Sequence, residues 1–142
     1  MSVDKATIAK QFIEYLPHCK ALGMRIIEIG DGIAEIELPY DPRFIGDPDS
    51  GVIHGGAVSA LMDTSGGAAV IAHPKSPGGT ATINLRIDYM RPATPGQTIT
   101  CRAECYHITR SVAFVRATAF DDDRDRPVAS ATGAFTVEEP KT

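Results

Sequence analysis

Residues 52–67 read VIHGGAVSALMDTSGG, an apolar stretch that begins with His-Gly-Gly and contains one acidic residue, Asp63. Its spacing predicts a helix over residues 55–72, which ends near a His-Pro pair. An ionised carboxylate within such a helix is costly unless the fold compensates it. The residues three and four positions away are all small: Ser59, Ala60, Gly66 and Gly67. Because each glycine in a helix also costs about 1 kcal/mol relative to alanine, the pattern predicts open space beside Asp63 for a ligand or another backbone.

The segments around this helix predict an antiparallel sheet. Two short strands, 24–29 and 33–38, flank Gly-Asp-Gly, which is a strong hairpin signal. Four further segments are predicted strands: 81–90, 98–105, 111–120 and 128–137. The first two show a clear two-residue alternation. Their short connections favour a curved antiparallel sheet, and such a sheet wrapped around an apolar helix buries the helix on all sides. The predicted fold class is therefore α+β, with a curved antiparallel sheet around a long central helix.

The chain is predicted to form one domain over residues 1–142, because no repeat or linker divides it and its length is sufficient for one core. An N-terminal helix is expected within residues 1–17. It runs from Val3 to Leu16 and ends at Pro17. Residues 39–51 are rich in Asp, Pro, Gly and Ser, which predicts a loop.

Composition argues against several classes of partner. The net charge is −4 and no run of Lys or Arg occurs, which argues against nucleic acid and anionic membranes. No window approaches the roughly 18 apolar residues of a membrane span, and the first residues lack the apolar core of a signal peptide. The three cysteines form no metal-type cluster. These features predict a cytoplasmic protein without a metal or an organic cofactor.

The chain resembles the hotdog-fold acyl-CoA thioesterases, and within them the phenylacetate-pathway (PaaI-like) branch. The resemblance rests on His54-Gly55-Gly56, on Asp63 nine residues after the histidine, and on the strand end Asp88-Tyr89-Met90-Arg91-Pro92-Ala93. It implies a hydrolase that converts acyl-CoA thioesters to a free acid and CoA. By the same resemblance, Asp63 is the nucleophile or the general base. A backbone N–H at Gly55, with its neighbour Gly56, polarises the thioester carbonyl.

The resemblance also implies roles for two further residues. Thr82 occupies the strand position at which some relatives carry a hydroxyl that holds the attacking water, although a solvated strand face would also explain a threonine there. His54 either positions the substrate or caps the loop. One departure is Pro48, which stands where relatives often carry Asn. Proline has no side-chain hydrogen bond to offer, so that role is vacant or falls to its polar neighbours: Asp47, Asp49 or Ser50.

The residues themselves indicate the same chemistry. A helix start offers unpaired N–H groups and the positive end of the helix dipole, and glycine lets a ligand approach the backbone. Asp63 lies eight residues beyond Gly55, which is about 12 Å along a helix. The reacting atoms should sit about 3 Å from both groups. Two antiparallel copies satisfy both conditions, so the spacing predicts a symmetric homodimer, or a dimer-of-dimers homotetramer, with sites at the interface.

The expected partner is an acyl-CoA. Its CoA moiety is expected on the outer surface near the dimer seam, with its phosphates bound by some of these arginines: Arg86, Arg91, Arg110 and Arg116. Two alternatives stay open on the sequence. One is a hotdog protein that binds acyl-CoA or another apolar ligand without turnover. The other is a hotdog dehydratase or hydratase that acts on an acyl thioester.

Overall fold

The computed structural model describes residues 4–139. Val3, the first residue of the predicted N-terminal helix, lies outside the described residues, and the assignment of residues 1–142 to one domain stays a prediction. Six strands form one antiparallel sheet, and the helix Gly55–Ile71 packs across one face of it. The predicted α+β class, a long helix against an antiparallel sheet, is therefore confirmed.

The helices and strands follow in chain order: α1 (Lys5–Tyr15), α2 (Pro17–Leu22), β1 (Arg25–Gly30), β2 (Ile33–Leu38), β3 (Ile45–Asp47), β4 (Val52–Ile53), α3 (Gly55–Ile71), β5 (Thr82–Tyr89), β6 (Ile99–Ile108), β7 (Val112–Phe120) and β8 (Ala129–Thr136). The sheet has the strand order β1-β2-β6-β7-β8-β5, and each neighbouring pair is antiparallel. Strand β5 is thus an edge strand. Two apolar side chains at this edge are more than half exposed: Ile83 within β5, at 52%, and Met90 directly after it, at 60%.

The N-terminal segment differs from its prediction. Helix α1 ends at Tyr15, and Pro17 does not end that helix but is the first residue of α2. Proline suits the first helical position because the N–H that it lacks would have no partner there. Asp4 caps α1, since its carboxylate accepts a hydrogen bond from the backbone N–H of Thr7 at 2.8 Å. None of the helices between residues 4 and 139 is long and apolar enough to cross a bilayer.

The predicted hairpin between β1 and β2 is confirmed. Asp31 and Gly32 both have positive φ angles, 51° and 80°, as a two-residue turn between twisted strands requires. The predicted loop 39–51 contains more structure than expected, because β3 pairs with β4 in a small hairpin of its own. Strands of three and two residues are too short to show an alternation.

The core lies between α3 and the inner faces of the central strands. Fully buried residues come from α3 and from alternate positions of β6: Leu61, Met62, Val70, Ile99, Cys101 and Ala103. The expectation that α3 is buried on all sides is wrong for a single chain. Asp63 is exposed, so the helix presents one open face beside the sheet edge.

Candidate active site

The carboxylate of Asp63 and the hydroxyl of Thr82 are in direct contact. Thr82 Oγ1 donates a hydrogen bond to Asp63 Oδ1 at 2.6 Å. Asp63 lies on the third turn of α3, and Thr82 is the first residue of β5, so the contact joins the helix to the edge of the sheet. The two residues that the resemblance singled out on separate elements therefore lie together.

A bulge in β5 explains how Thr82 reaches the helix. A strict alternation would place Thr82 and Tyr89 on opposite faces, because they are seven residues apart. The pairing with β8 shifts between Thr82 and Asn84, where one extra residue, Ile83, stands in β5. Thr82 is thereby paired with Phe135, which is buried in the core. Thr82 is exposed at this sheet edge, and its hydroxyl is bonded to Asp63.

Asp63 has no cationic partner among residues 4–139. The salt bridges of this part of the chain all involve other carboxylates. Asp63 is therefore not part of a structural ion pair within these residues. The carboxylate is exposed, with one hydrogen bond from a neutral hydroxyl, which leaves its second oxygen free to react.

The glycines near Asp63 allow close packing and do not create the open space that the sequence predicted. A Cβ atom at Gly66 would lie 2.8 Å from the ring of Phe135, so the glycine lets that ring pack against α3. Gly67 faces Thr80 at an ordinary van der Waals distance, with a Cβ atom there 3.8 Å from its methyl group. The expected space beside Asp63 comes from its exposure at the sheet edge instead.

The first turn of α3 has one backbone donor left over. His54 caps this helix, because its Nδ1 accepts a hydrogen bond from the backbone N–H of Gly56 at 2.8 Å. The backbone N–H of Gly55 has no acceptor within the described residues. Of the two glycines, Gly55 is therefore the one that can donate to a ligand. His54 itself is held by a hydrogen bond from its backbone N–H to the carbonyl of Phe44 at 2.7 Å.

Tyr89 is a further site residue. The sequence motif contained it without indicating its role. Its hydroxyl donates to the backbone carbonyl of Gly55 at 2.9 Å and also forms a hydrogen bond with Ser59. A Cβ atom at Gly55 would lie 3.4 Å from the tyrosine ring, so the ring packs directly on the glycine. The available signal was an aromatic residue at the end of the strand that also carries Thr82.

The contacts between α3 and β5 show that the two elements run in opposite directions. Asp63 meets Thr82 at the start of β5, and Gly55 meets Tyr89 at its end. The carboxylate and the free N–H of one chain thus lie at opposite ends of the strand, about 12 Å apart along the helix axis.

A cavity of about 430 Å³ opens beside Gly55, at the Tyr89 end of β5. Four of its lining residues are buried apolar side chains: Ile53, Val58, Ala93 and Val128. Asp63 does not line this cavity. The free N–H of Gly55 therefore borders an apolar cavity, and the carboxylate lies apart from it.

The four arginines expected to bind CoA phosphates do not converge. Arg91 forms a two-pronged ion pair with the buried carboxylate of Asp121, at 2.7 and 2.8 Å, and its other N–H groups donate to backbone carbonyls. The paired guanidinium holds the pKa of Asp121 well below its usual range. All five donors of Arg91 are used, which disfavours a role in binding CoA.

The other three arginines remain accessible. Arg86 is exposed on β5 with a long contact of 3.4 Å to Asp88. Arg116 lies 3.9 Å over the ring of Tyr106 on the outer face of the sheet. Arg110 is exposed in the turn between β6 and β7. Arg86 and Arg116 flank the same residue of β8, Thr132, and therefore share the outer face.

Polar groups around Pro48 are used within their own turn. Ser50 Oγ donates to the carboxylate of Asp47 at 2.6 Å, and the backbone N–H of Asp49 donates to the same carboxylate at 3.1 Å. Nothing in this turn is directed at Asp63 of the same chain. Between residues 4 and 139, no three His, Cys, Asp or Glu side chains come together as a metal site.

The sequence model of the thioesterase superfamily matches residues 50–128, a range that contains Gly55, Asp63, Thr82 and Tyr89. The chain belongs to this superfamily of thioester hydrolases, and its fold is the hotdog fold. A Pseudomonas aeruginosa protein of known crystal structure is 39% identical, with a TM-score of 0.82 over 93% of this chain and 98% of that chain. The PaaI protein of the Escherichia coli phenylacetic acid degradation operon has the same fold, with a TM-score of 0.83 at 21% identity over 97% of this chain and 99% of that chain.

Two curated relatives complete the comparison. The Escherichia coli medium/long-chain acyl-CoA thioesterase YigI is 23% identical over 143 residues, which cover 92% of this chain and 91% of that protein. A Halobacterium salinarum relative is 31% identical over 93 residues, and this match covers 63% of this chain and 62% of that protein.

Proposed function

We propose that this protein hydrolyses acyl-CoA thioesters to a free acid and CoA. The observation that carries the proposal is the carboxylate of Asp63, which is held by Thr82 and has no cationic partner in the described chain. Thioester hydrolysis needs such a base or nucleophile together with a donor for the developing oxyanion. The similarity to YigI supports a CoA ester as the substrate.

Asp63 acts in one of two ways in this proposal. As a general base, it takes a proton from water while the oxygen of that water adds to the thioester carbon. As a nucleophile, it adds to the carbon itself and forms a mixed anhydride, which water then cleaves. In both cases the C–S bond breaks and CoA leaves as a thiolate, which then receives a proton. The hydrogen bond from Thr82 orients the carboxylate, so Thr82 is a positioning residue in either route.

The oxyanion receives its hydrogen bond from the backbone N–H of Gly55. The helix dipole of α3 adds to the effect of this donor, because its positive end lies at the same residue. His54 contributes indirectly, since its cap on Gly56 fixes the first turn. Tyr89 fixes the same turn from the strand side.

Each active site is shared between two chains. Within one chain Gly55 and Asp63 are too far apart to reach one carbonyl, whereas two antiparallel copies bring each helix start to the partner's carboxylate. The edge strand β5 supports this assembly, because its open backbone and its half-exposed Ile83 and Met90 are suited to contact with a second copy. The assembly is a homodimer or a dimer of such dimers. The cytoplasmic location stays a prediction.

The test is release of free thiol from a panel of acyl-CoA esters. Acetyl-, butanoyl-, octanoyl- and phenylacetyl-CoA are incubated with the protein, and the thiol is followed with a chromogenic disulfide. Saturable release that Asp63→Asn abolishes supports the proposal. Tight binding without thiol release would identify a binding protein instead. Conversion of a hydroxyacyl-CoA to an enoyl-CoA without free thiol would identify a dehydratase.

A further inference from the structure

The cavity beside Gly55 has an apolar floor and no free polar side chain. Its floor consists of four buried side chains: Ile53, Val58, Ala93 and Val128. At about 430 Å³ it lies within the roughly 300–1,000 Å³ of small-molecule sites. The cavity is therefore large enough for part of a ligand and is lined by side chains that favour an apolar one.

The two polar side chains at its wall are already engaged. The hydroxyl of Tyr89 is bonded to Gly55 and Ser59. The guanidinium of Arg91 uses its five donors on Asp121 and on backbone carbonyls. A ligand group with a charge or with amide groups would lose its water here without gaining side-chain partners, which is unfavourable.

We propose that this cavity holds the acyl group of the thioester and selects uncharged apolar acyl groups. This inference rests on the proposed function, in which the carbonyl oxygen binds the N–H of Gly55. The two substituents of that carbonyl then point in different directions from Gly55. The pantetheine arm of CoA carries two amides, so the apolar cavity fits the acyl group and the arm runs along the more polar surface.

Chain length is limited by the buried floor in this arrangement. Ala93 and Val128 are buried lining residues, whereas Met90, which also lines the cavity, is more than half exposed. A larger side chain at Ala93 shortens the cavity, and a smaller one at Val128 deepens it. These two substitutions should therefore move the preferred chain length in opposite directions.

The first experiment compares kcat/KM for acetyl-, butanoyl-, octanoyl- and succinyl-CoA. We expect butanoyl-CoA to exceed succinyl-CoA, which has the same number of acyl carbons and a terminal carboxylate, by at least about 10-fold, since a buried unpaired charge is strongly rejected. Ala93→Leu should lower the ratio of octanoyl- to acetyl-CoA activity by about 10-fold or more. Val128→Ala should raise the same ratio. A preference for succinyl-CoA, or an unchanged ratio in both variants, would overturn the inference.

A second groove provides the matched control. It has a volume of about 510 Å³ and lies between α1, α2 and β1, where Met24 is one of its lining residues. Met24→Ala should leave the ratio of octanoyl- to acetyl-CoA activity unchanged. If Met24→Ala moved the ratio while the variants of Ala93 and Val128 did not, the acyl chain would lie in that groove and the inference would be wrong.

Binding of non-hydrolysable thioethers separates this inference from the proposed function. S-octyl-CoA should bind the wild-type protein more tightly than S-ethyl-CoA, and Ala93→Leu should remove most of that difference. This result together with no hydrolysis of any ester would reject the proposed reaction and keep the acyl site. Hydrolysis with equal affinity for both thioethers would keep the reaction and reject the acyl site.

Discussion

The hydroxyl of Tyr89 donates a hydrogen bond to the backbone carbonyl of Gly55 at 2.9 Å, so a strand residue holds the first turn of α3 in place. The adjacent N–H of Gly55 is the proposed oxyanion donor, and its direction depends on the orientation of this turn. Removal of a hydrogen bond of this kind costs about 0.5–1.5 kcal/mol. The contact therefore has a measurable effect on catalysis if the donor acts as proposed.

Tyr89→Phe keeps the ring that packs on Gly55 and removes the hydrogen bonds to Gly55 and Ser59. We expect kcat to fall by about 3- to 10-fold, with little change in KM, because about 1 kcal/mol of positioning is lost. Steady-state kinetics with a good acyl-CoA substrate measures this. Tyr106→Phe, on the outer face of the sheet, is the matched control and should behave as wild type. An equal kcat in Tyr89→Phe and wild type would show that the hydrogen bond from Tyr89 does not position the first turn of α3 for catalysis.

Asp63→Asn should lower the hydrolysis rate by several orders of magnitude while acyl-CoA still binds, because an amide is neither a good nucleophile nor a base. The melting temperature should stay unchanged or rise, since no cation within residues 4–139 loses a counter-ion and Thr82 can still donate to the amide oxygen. Melting temperature, rate and affinity are measured on the same variant. Asp88→Asn, an exposed acid on β5, is the control. A variant that melts much earlier yet hydrolyses normally would place the chemistry elsewhere.

Gly55→Pro removes the proposed oxyanion donor, and we expect kcat to fall by about 10²–10³-fold. Proline is compatible with the backbone at this position, because it starts a helix and His54 before it has a ψ angle of 137°. Its Cβ atom would lie 3.4 Å from the ring of Tyr89, so the ring must shift slightly. Circular dichroism and light scattering establish that the variant folds and assembles. A near-normal kcat in the folded variant would reject the donor role.

Mixing Gly55→Pro with Asp63→Asn tests the shared site directly. In a mixed dimer, one site combines the intact Gly55 of one chain with the intact Asp63 of the other. After denaturation and joint refolding, activity should return to roughly one quarter of the wild-type value, because half of the dimers are mixed and each has one intact site. Each variant refolded alone is the control. No recovery in the mixture would mean that both groups act within one chain.

Asp121→Asn should destabilise the fold by about 3 kcal/mol at pH 7, because the guanidinium of Arg91 loses its buried counter-ion. The pKa of Asp121 is lower in the folded chain than in the unfolded chain, so the pair stabilises fully above about pH 4 and loses its effect as the pH falls below that value. Thermal unfolding is measured between pH 2 and 7. The melting temperature of the variant should therefore fall less steeply with decreasing pH than that of wild type. Asp125→Asn, exposed in the same turn, should follow wild type. Identical pH profiles for Asp121→Asn and wild type would contradict the assignment.

The overall fold could be predicted from the sequence, because its helices and strands depend on local patterns. Each local pattern predicts its own part of the fold independently of the others. These patterns are the alternation in the strands, the Gly-Asp-Gly turn and the apolar stretch of α3. The separation of Gly55 and Asp63 follows from helix geometry alone. The structure contains these predicted helices and strands, and their bounds differ from the predicted ones by a few residues at most.

Features that depend on contacts between distant segments could not be predicted. Arg91 belongs to a motif that suggested substrate binding, yet its partner Asp121 lies 30 residues away. Gly66 suggested space for a ligand, and only its packing on Phe135 reveals another reason for the glycine. The role of Tyr89 likewise depends on how α3 lies over β5. Tertiary packing decides all three.

The extra residue in β5 makes the bulge of this strand a feature on which the site depends. Thr82 and Tyr89 meet the same helix only because Ile83 is inserted between the paired positions of Thr82 and Asn84. A regular strand with the same seven-residue spacing would keep every site residue, yet the threonine and the tyrosine could not both face α3. In any redesign of this sheet edge, conserving the composition of β5 is therefore insufficient. The number of residues between its two hydroxyls must also match the presence or absence of the bulge.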